Sequence, residues 1–543
     1  MGSSLLFLIV LPFAGAAVAL LGKLIPHRRF VSLVAVVPVF VLPAFLLPLL
    51  AVVETGSAVS ITVGNWSRPI AIALRMDGLA WLSSALIALV SAVVVLASFA
   101  HGGYGSSYFF FLLVLVGGMQ MVVLTNDIFT LFVAFEIVAI AAYVLIAYDQ
   151  TDAGLLASMK YLLLSSAGIL FFLLGVFLIY RQLGTLSLSG IAEALASTDQ
   201  QSAPLRIAVA ALCVGIGVRT AFIPFHTWLP EAHAYAPHPI SALLSGVLIK
   251  VSFLAMLRVI AVFSARYYNE MLVWIGAATA LAAVIFALAQ KDGKRLLAYH
   301  SISQMGYIVA AFGAAAPISM TAAFTHAVNH ALFKSLLFLV AGTAIWMSGS
   351  RDVFKSAPVG RRAPVLAVAF LIGALSIAGI PPFNGYASKT LISAALSGSP
   401  AYPLLWLTGV GTVASFVKMS RIVAPIKTEV PLRSPGFLIH VPVVLLAVLC
   451  VISGIAYRPI AGFTSSLLGG SIQTVPRAFT GPKLLNTALV AVLGTGLYFA
   501  VMSTAGKRVA AMVQRVAPEL RTVLLFFLAG FVLFAAVALA PLW

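Results

Sequence analysis

Charge and cysteine are what this sequence has least of. Only 8% of its 543 residues are charged, 62% are hydrophobic, and the mean hydropathy is +1.12. A soluble chain of this length has to cover a large surface with charge, so the balance argues against a water-solvated globule, a nucleic-acid-binding domain or a secreted disulfide domain. The two cysteines, Cys213 and Cys450, both sit inside apolar stretches and lack paired-ligand spacing. They argue against a disulfide framework, an iron–sulfur cluster or a zinc site, so no metal and no cofactor is expected in this chain. A Gly-rich phosphate loop, a nucleophile elbow and paired catalytic carboxylates are also missing, which leaves no catalytic or redox centre to propose. Acid is scarcer than base: 14 Asp and Glu stand against 32 Lys and Arg, a net charge of +18.

What the sequence has instead is apolar length. Stretches of about twenty residues recur from Leu5 to Leu542, each long enough to cross a ~30 Å hydrocarbon core as a helix. The expected fold class is an all-α polytopic membrane protein with about sixteen transmembrane helices. Met1 to Leu21 has no basic leader and runs on as a full span, so it reads as the first helix and not as a cleaved signal. If that span ends inside, alternate loops collect about nineteen basic residues, among them Lys23, Lys291, Arg295, Arg361 and Arg508, and the opposite loops about eight, among them Arg75, Arg181 and Arg266. The positive-inside rule then places the protein in the cell membrane with both termini on the non-cytoplasmic side. The net charge reflects insertion and contact with anionic lipid, with no nucleic-acid partner required.

Two spans are interrupted. The seventh breaks at Ile223-Pro224-Phe225 and leads into a polar segment, His226 to His238; the twelfth breaks at Ile380-Pro381-Pro382-Phe383-Asn384-Gly385. Proline removes a backbone donor, and unpaired backbone at membrane depth is tolerated only beside protein or water. Pro224 and Pro382 lie 158 residues apart (382 minus 224), and Glu136 and His300, each the main titratable group of an earlier span, lie 164 apart. The matching offsets suggest two five-helix repeats, with odd span numbers that would invert one relative to the other, a transporter architecture. The resulting division is 1–106 for the N-terminal helices, 107–263 and 264–425 for the two repeats, and 426–543 for the C-terminal helices. Within the last, Gly506 to Arg521 reads as a short basic amphipathic linker on the inner surface.

Glu136 is the one acid placed near the middle of a span, where a carboxylate costs a few kcal/mol, so it should be paired or protonated. Arg219, Lys250, Lys334 and Lys389 also enter the spans, with His300, His326 and His330. Histidine titrates near neutrality and a desolvated lysine can release its proton, so these groups suit a hydrated ion path. His326, His330 and Lys334 are four apart in turn, which stacks them on one helix face. That spacing can also hold a metal, but no carboxylate or thiolate stands beside it.

The stretch from Arg219 to Lys250, RTAFIPFHTWLPEAHAYAPHPISALLSGVLIK, closely resembles the signature of the proton-conducting, antiporter-like subunits of respiratory complex I, Mrp antiporters and energy-converting hydrogenases. KRLLAYHSISQMGY from Lys294 to Tyr307, HAVNHALFK from His326 to Lys334, and the break ending Ser388-Lys389 support it, and the likeness covers roughly 75–425. The resemblance implies that Glu136 is the family's fifth-helix glutamate and that Arg219 occupies the place of its seventh-helix lysine. It implies further that Lys250 is the eighth-helix lysine, that His300, His326, His330 and Lys334 form the central relay, and that Lys389 is the exit-side lysine. Arg219 departs from the pattern, because arginine does not give up its proton in a protein. A cycle there must work by changing the distance between two charges: at ~7 Å and an effective dielectric of ~20 the attraction is about 2.4 kcal/mol.

Three functions follow from the resemblance. The first is a subunit translocating protons, with sodium as the alternative ion, inside a redox-driven complex with other membrane subunits and hydrophilic redox subunits. The second is the D-type component of a stand-alone Mrp-type cation/proton antiporter, and the third a structural membrane subunit whose channel has decayed through Arg219.

Overall fold

The computed structural model describes residues 2–24, 28–64, 72–197, 202–263, 266–427, 431–470, 475–515 and 520–540. Helices α1 (Gly2–Leu21) and α2 (Arg28–Val53) pack on each other and on α4 (Ser106–Leu124). Between α2 and α3 (Gly78–His101) lies an antiparallel hairpin, β1 (Val59–Val63) with β2 (Ile72–Met76), which the apolar pattern does not announce. Asp77 ends it and caps α3 by accepting from the Ala80 N–H at 2.9 Å. The chain continues through α5 (Ile128–Ile146), α6 (Asp152–Leu183), the short α7 (Leu188–Leu195) and α8 (Ala203–Thr220).

After the first break come α9 (Leu229–Tyr235) and α10 (His238–Leu243), which passes through a π-helical turn (Leu244–Leu248) into α11 (Ile249–Val262). Then follow α12 (Asn269–Ala289), α13 (Gly293–Gly313), α14 (Ser319–Ser348), α15 (Pro364–Ala378), α16 (Asn384–Ala395) and α17 (Tyr402–Met419). The C-terminal part holds α18 (His440–Ile455), α19 (Tyr457–Leu467), α20 (Gly481–Met502), α21 (Thr504–Arg515) and α22 (Leu520–Leu539).

Among the described residues, twelve helices are long and apolar enough to cross a membrane, and this is a multi-pass membrane protein. The four remaining expected spans also fall on helices. Of these, α13 carries Lys294, Arg295 and His300 in its first half, α15 and α16 are two pieces of one broken span, α17 ends on Lys418 and Met419, and α22 is described only in part. The linker expected between Gly506 and Arg521 is α21 as far as Arg515; residues 516–519 lie outside the described residues.

Burial follows lipid as the solvent. Outward faces are apolar, as with Leu155, Met159, Leu170 and Phe177 of α6, whereas Lys250, His300, His326, His330 and Lys334 are buried at the centre. Small residues let the helices come close: a Cβ on Gly276 of α12 would meet the Gly306 carbonyl of α13 at 2.6 Å.

The two breaks share a backbone form. The α8 helix ends on Ala221 at φ 58° and α15 on Gly379 at φ 77°, both left-handed, and these lie 158 residues apart (379 minus 221), the same offset as the prolines. The Ile223–Pro224 and Pro381–Pro382 peptide bonds are cis.

Candidate functional site: a row of buried charges and imidazoles

The row begins where α8 ends against α5. Asp127 starts α5 by accepting from the Thr130 N–H at 2.6 Å, and one face of the helix, Phe129, Glu136 and Ile140, is turned to the outside of the chain. Glu136 is 36% exposed, whereas Arg219, in the last turn of α8, is 3% exposed. Arg219 Nη2 donates to Glu136 Oε1 at 2.8 Å and Nη1 to the Phe135 carbonyl at 3.0 Å, and the guanidinium lies 5.0 Å from the Phe135 ring centroid. The ~7 Å separation assumed from sequence is therefore corrected to direct contact. Both prongs of the planar guanidinium are used, a geometry that one ammonium does not reproduce.

The break after α8 is held by aromatic packing. Trp228 Nε1 donates to the Val218 carbonyl at 2.8 Å, and the Trp228 ring stacks on Tyr161 at 4.1 Å. In α9, Glu231 takes Lys160 at 2.7 Å and Arg295 at 3.7 Å, an ion cluster at the end of the molecule where α13 begins. His233, on the same short helix, is fully buried with neither ring nitrogen bonded to protein.

Lys250 follows the π turn, which opens the regular hydrogen-bond ladder. Its ammonium donates to the Ser245 carbonyl. Ser245 Oγ lies 2.7 Å from Ser301 Oγ on α13, Ser301 Oγ donates to the Leu297 carbonyl at 3.2 Å, and Lys334 of α14 donates to that same carbonyl. Lys250 and Lys334 are thus linked across three helices through Ser245, which takes Lys250 on its carbonyl and Ser301 on its hydroxyl, and through the Leu297 carbonyl, which accepts from both Ser301 and Lys334. Ser245 and Ser301 are the residues that sequence reasoning missed.

Along α14, His330 and His326 lie with rings nearly parallel, 10° apart in plane and 6.3 Å between centroids. His326 Nδ1 is 2.9 Å from Ser388 Oγ and Nε2 is 3.1 Å from Gln304 Oε1. His330 and His300 are fully buried, and neither bonds protein through either ring nitrogen.

Ser388 brings the row to the second break, where Lys389 donates to the Ile377 carbonyl at 2.7 Å and lies 5.0 Å from the Tyr307 ring centroid. The break frees that carbonyl, and Gly379 leaves the room: its Cβ position is 3.0 Å from Lys389 Cδ. Lys389 faces a cavity bounded by α16, α17 and α20, which Lys483 also lines. Among the described residues no hydrogen bond or ion pair joins the Glu136–Arg219 pair to Lys250, and no group of three His, Cys, Asp or Glu is arranged to hold a metal.

Residues 125–417, more than half of the chain, match the family described as NADH:quinone oxidoreductase/Mrp antiporter, TM. The chain is 30% identical over 496 residues to NADH-quinone oxidoreductase subunit N of Desulforudis audaxviator, covering 86% of this chain and 97% of that one. It is also 30% identical over 467 residues to the D-type component of the Na(+)/H(+) antiporter of Alkalihalophilus pseudofirmus, 83% and 94% of the two chains. A chain in the structure of the membrane-bound sulfane sulfur reductase, an archaeal respiratory membrane complex, superposes with a TM-score of 0.79 at 27% identity over 91% of this chain and all of that one. The chain belongs to the NADH:quinone oxidoreductase/Mrp antiporter membrane-subunit family.

Proposed function

We propose that this chain is a proton-translocating membrane subunit of a larger redox-driven complex, placed in the cytoplasmic membrane with both termini on the non-cytoplasmic side. The observation that carries the reading is the row of titratable groups inside apolar helices. Ser245, Ser301 and the Leu297 carbonyl link Lys250 to Lys334, the His330 and His326 rings lie parallel 6.3 Å apart, and His326 reaches Ser388 beside Lys389. Buried polar groups are costly unless satisfied, so imidazoles such as His300 and His330, which no protein group bonds, call for water between them. Imidazole and a desolvated amine both accept and release protons, which makes such a row a relay.

In this reading Glu136 and Arg219 are the input switch. Arg219 holds its proton, so the pair changes state by opening and closing. Lys250, Lys334, His300, His326 and His330 pass the proton along the midplane, and Lys389 releases it. Residues 107–263 and 264–425 are the two inverted repeats, 1–106 the N-terminal helices and 426–543 the C-terminal helices. The shared left-handed ends at Ala221 and Gly379 support that division.

Other membrane subunits and hydrophilic redox subunits complete the complex. The alternative, a D-type component of a cation/proton antiporter, uses the same channel residues. The structural-subunit alternative loses ground because Glu136, Lys250 and Lys389 are all retained. Purification of the complex with identification of its subunits tests the choice: nickel–iron or iron–sulfur proteins support the redox complex, and small membrane proteins alone support the antiporter. Driven acidification of vesicles tests transport itself.

A further inference from the structure

The break after α8 is covered by α22, a helix that lies beyond residues 125–417 that match the family. One face of α22, with Phe527, Gly530, Phe534 and Ala538, is buried, and the other, with Leu525, Leu528, Val532 and Leu533, is exposed. The Phe527 ring lies 5.4 Å from that of Phe225, and the Phe534 ring 6.4 Å from that of Phe222. Between them Gly530 leaves no room to spare: a Cβ there would stand 2.5 Å from Phe225 Cζ and 3.3 Å from Pro224 Cγ. Two bonds tie the helix down. Arg206, buried in α8, donates to the Ala538 carbonyl at 2.6 Å, and the Tyr268 hydroxyl donates to the Phe534 carbonyl at 3.3 Å.

Phe225 has no slack on its inner side either. Phe222 and Phe225 fold back onto Gly217, where a Cβ would stand 3.0 Å from Phe222 Cζ and 3.0 Å from Phe225 Cδ2. Gly217 belongs to the last turn of α8, two residues before Arg219. From a further side the Ile223 N–H donates to Thr279 Oγ1 of α12 at 3.2 Å, so the break is gripped between α12 and α22. A push on Phe225 therefore moves either the end of α8 or a helix that is tied down. Arg219 reaches its two acceptors at 2.8 and 3.0 Å, and such bonds weaken steeply when the donor shifts or turns.

We propose that α22 is the positioning clamp of the input switch. Through Gly530 and Phe225 it sets where the last turn of α8 stands, and with it whether Arg219 meets both Glu136 and the Phe135 carbonyl. Arg206 and Tyr268 are positioning residues that hold the clamp in place. The second break is covered in the same manner by α18, with Gly454 against the Pro382 carbonyl.

The clamp rests on the transport reading above, and one set of measurements separates the two. The whole complex is reconstituted into vesicles, and protons moved per turnover are measured for wild type, Glu136→Gln, Gly530→Val, Phe225→Leu and the double variant Gly530→Val/Phe225→Leu. Gly496→Val on α20, where a Cβ meets nothing within 4 Å, is the control. The clamp predicts that Gly530→Val loses about half or more of the protons per turnover that Glu136→Gln loses, and that Gly496→Val loses none. In the Phe225→Leu background the ring end is gone, so the substitution at Gly530 causes no further loss. A wild-type ratio in Gly530→Val overturns the clamp, as does an equal loss from Gly530→Val whether residue 225 is Phe or Leu. A general packing defect lowers turnover and proton movement together, leaves their ratio unchanged and counts against the clamp in the same way. If Gly530→Val does not assemble, Gly530→Ala takes its place in the same cycle under the same criteria. A full ratio in Glu136→Gln overturns the transport reading and the clamp with it.

Discussion

The first half of the ion row keeps a carboxylate at its end, and the second half keeps none. At the first break a partly exposed Glu136 meets a buried arginine that does not give up its proton, held in place by two donors. At the second, Lys389 stands on a backbone carbonyl that the break sets free, with a second lysine across the cavity. The two breaks share a left-handed helix end, so the backbone device is the same while the charge logic is opposite. An ion pair stores a charge and changes state when its partners separate; a lysine on a neutral carbonyl changes state by losing its proton. In the proposed function this difference places switching in the first half and release in the second.

Glu136→Gln breaks the comparison most severely, because it removes the one carboxylate of the row while keeping its shape. Proton transport through this chain should fall on the order of 100-fold at normal yield of the assembled complex, and vesicle acidification by the share that this chain carries. Undiminished pumping would remove Glu136 from the path. Lys389→Ala should be nearly as damaging, and Lys389→His should keep roughly a tenth of the activity, since imidazole carries a proton on a shorter reach. If both variants pump normally, Lys389 is a cap on the Ile377 carbonyl and nothing more.

The substitutions at Arg219 sharpen the contrast. Charge is needed there and deprotonation is not, so Arg219→Lys should remain within roughly threefold of wild type. The loss in that variant reflects the second donor, to the Phe135 carbonyl. Arg219→Ala should be inactive, leaving Glu136 without its partner. An active Ala variant would place Arg219 outside the pathway, and a dead Lys variant would make the two-pronged guanidinium the requirement.

The smallest effect concerns the packing that holds the second break. A Cβ on Gly454 of α18 would meet the Pro382 carbonyl at 2.1 Å, backbone against backbone, whereas one on Gly462 of α19 meets nothing within 4 Å. Gly454→Ala should destabilise the protein by about 1–3 kcal/mol, read as a lower unfolding temperature in detergent, with Gly462→Ala as the neutral control. Equal unfolding temperatures for the two would show that α18 does not fix the break.

Much of the row was legible in the sequence because a charge inside an apolar stretch is costly and so conspicuous: Glu136, Arg219, Lys250, Lys334 and Lys389 stand out by contrast alone. The prolines marked both breaks for the same reason. Ser245 and Ser301 were not legible, since hydroxyls are common in membrane helices and only the approach of α13 to the π turn makes these two a link. Lys483 lies 94 residues beyond Lys389 (483 minus 389), so only the folded chain brings α20 to the cavity. The contact between Glu136 and Arg219 was expected as an attraction but not as a closed pair, because sequence spacing carries no distance across helices. The β1–β2 hairpin was hidden among the stronger signals of the spans around it.

The central claim is that one ion path crosses the membrane within this chain, from Glu136 to Lys389. Its most direct test is the number of protons moved per turnover of the reconstituted complex, compared between wild type and Glu136→Gln in this subunit alone. The account predicts a lower ratio in the variant, by the protons this chain carries, with the complex still assembled. An unchanged ratio would contradict it.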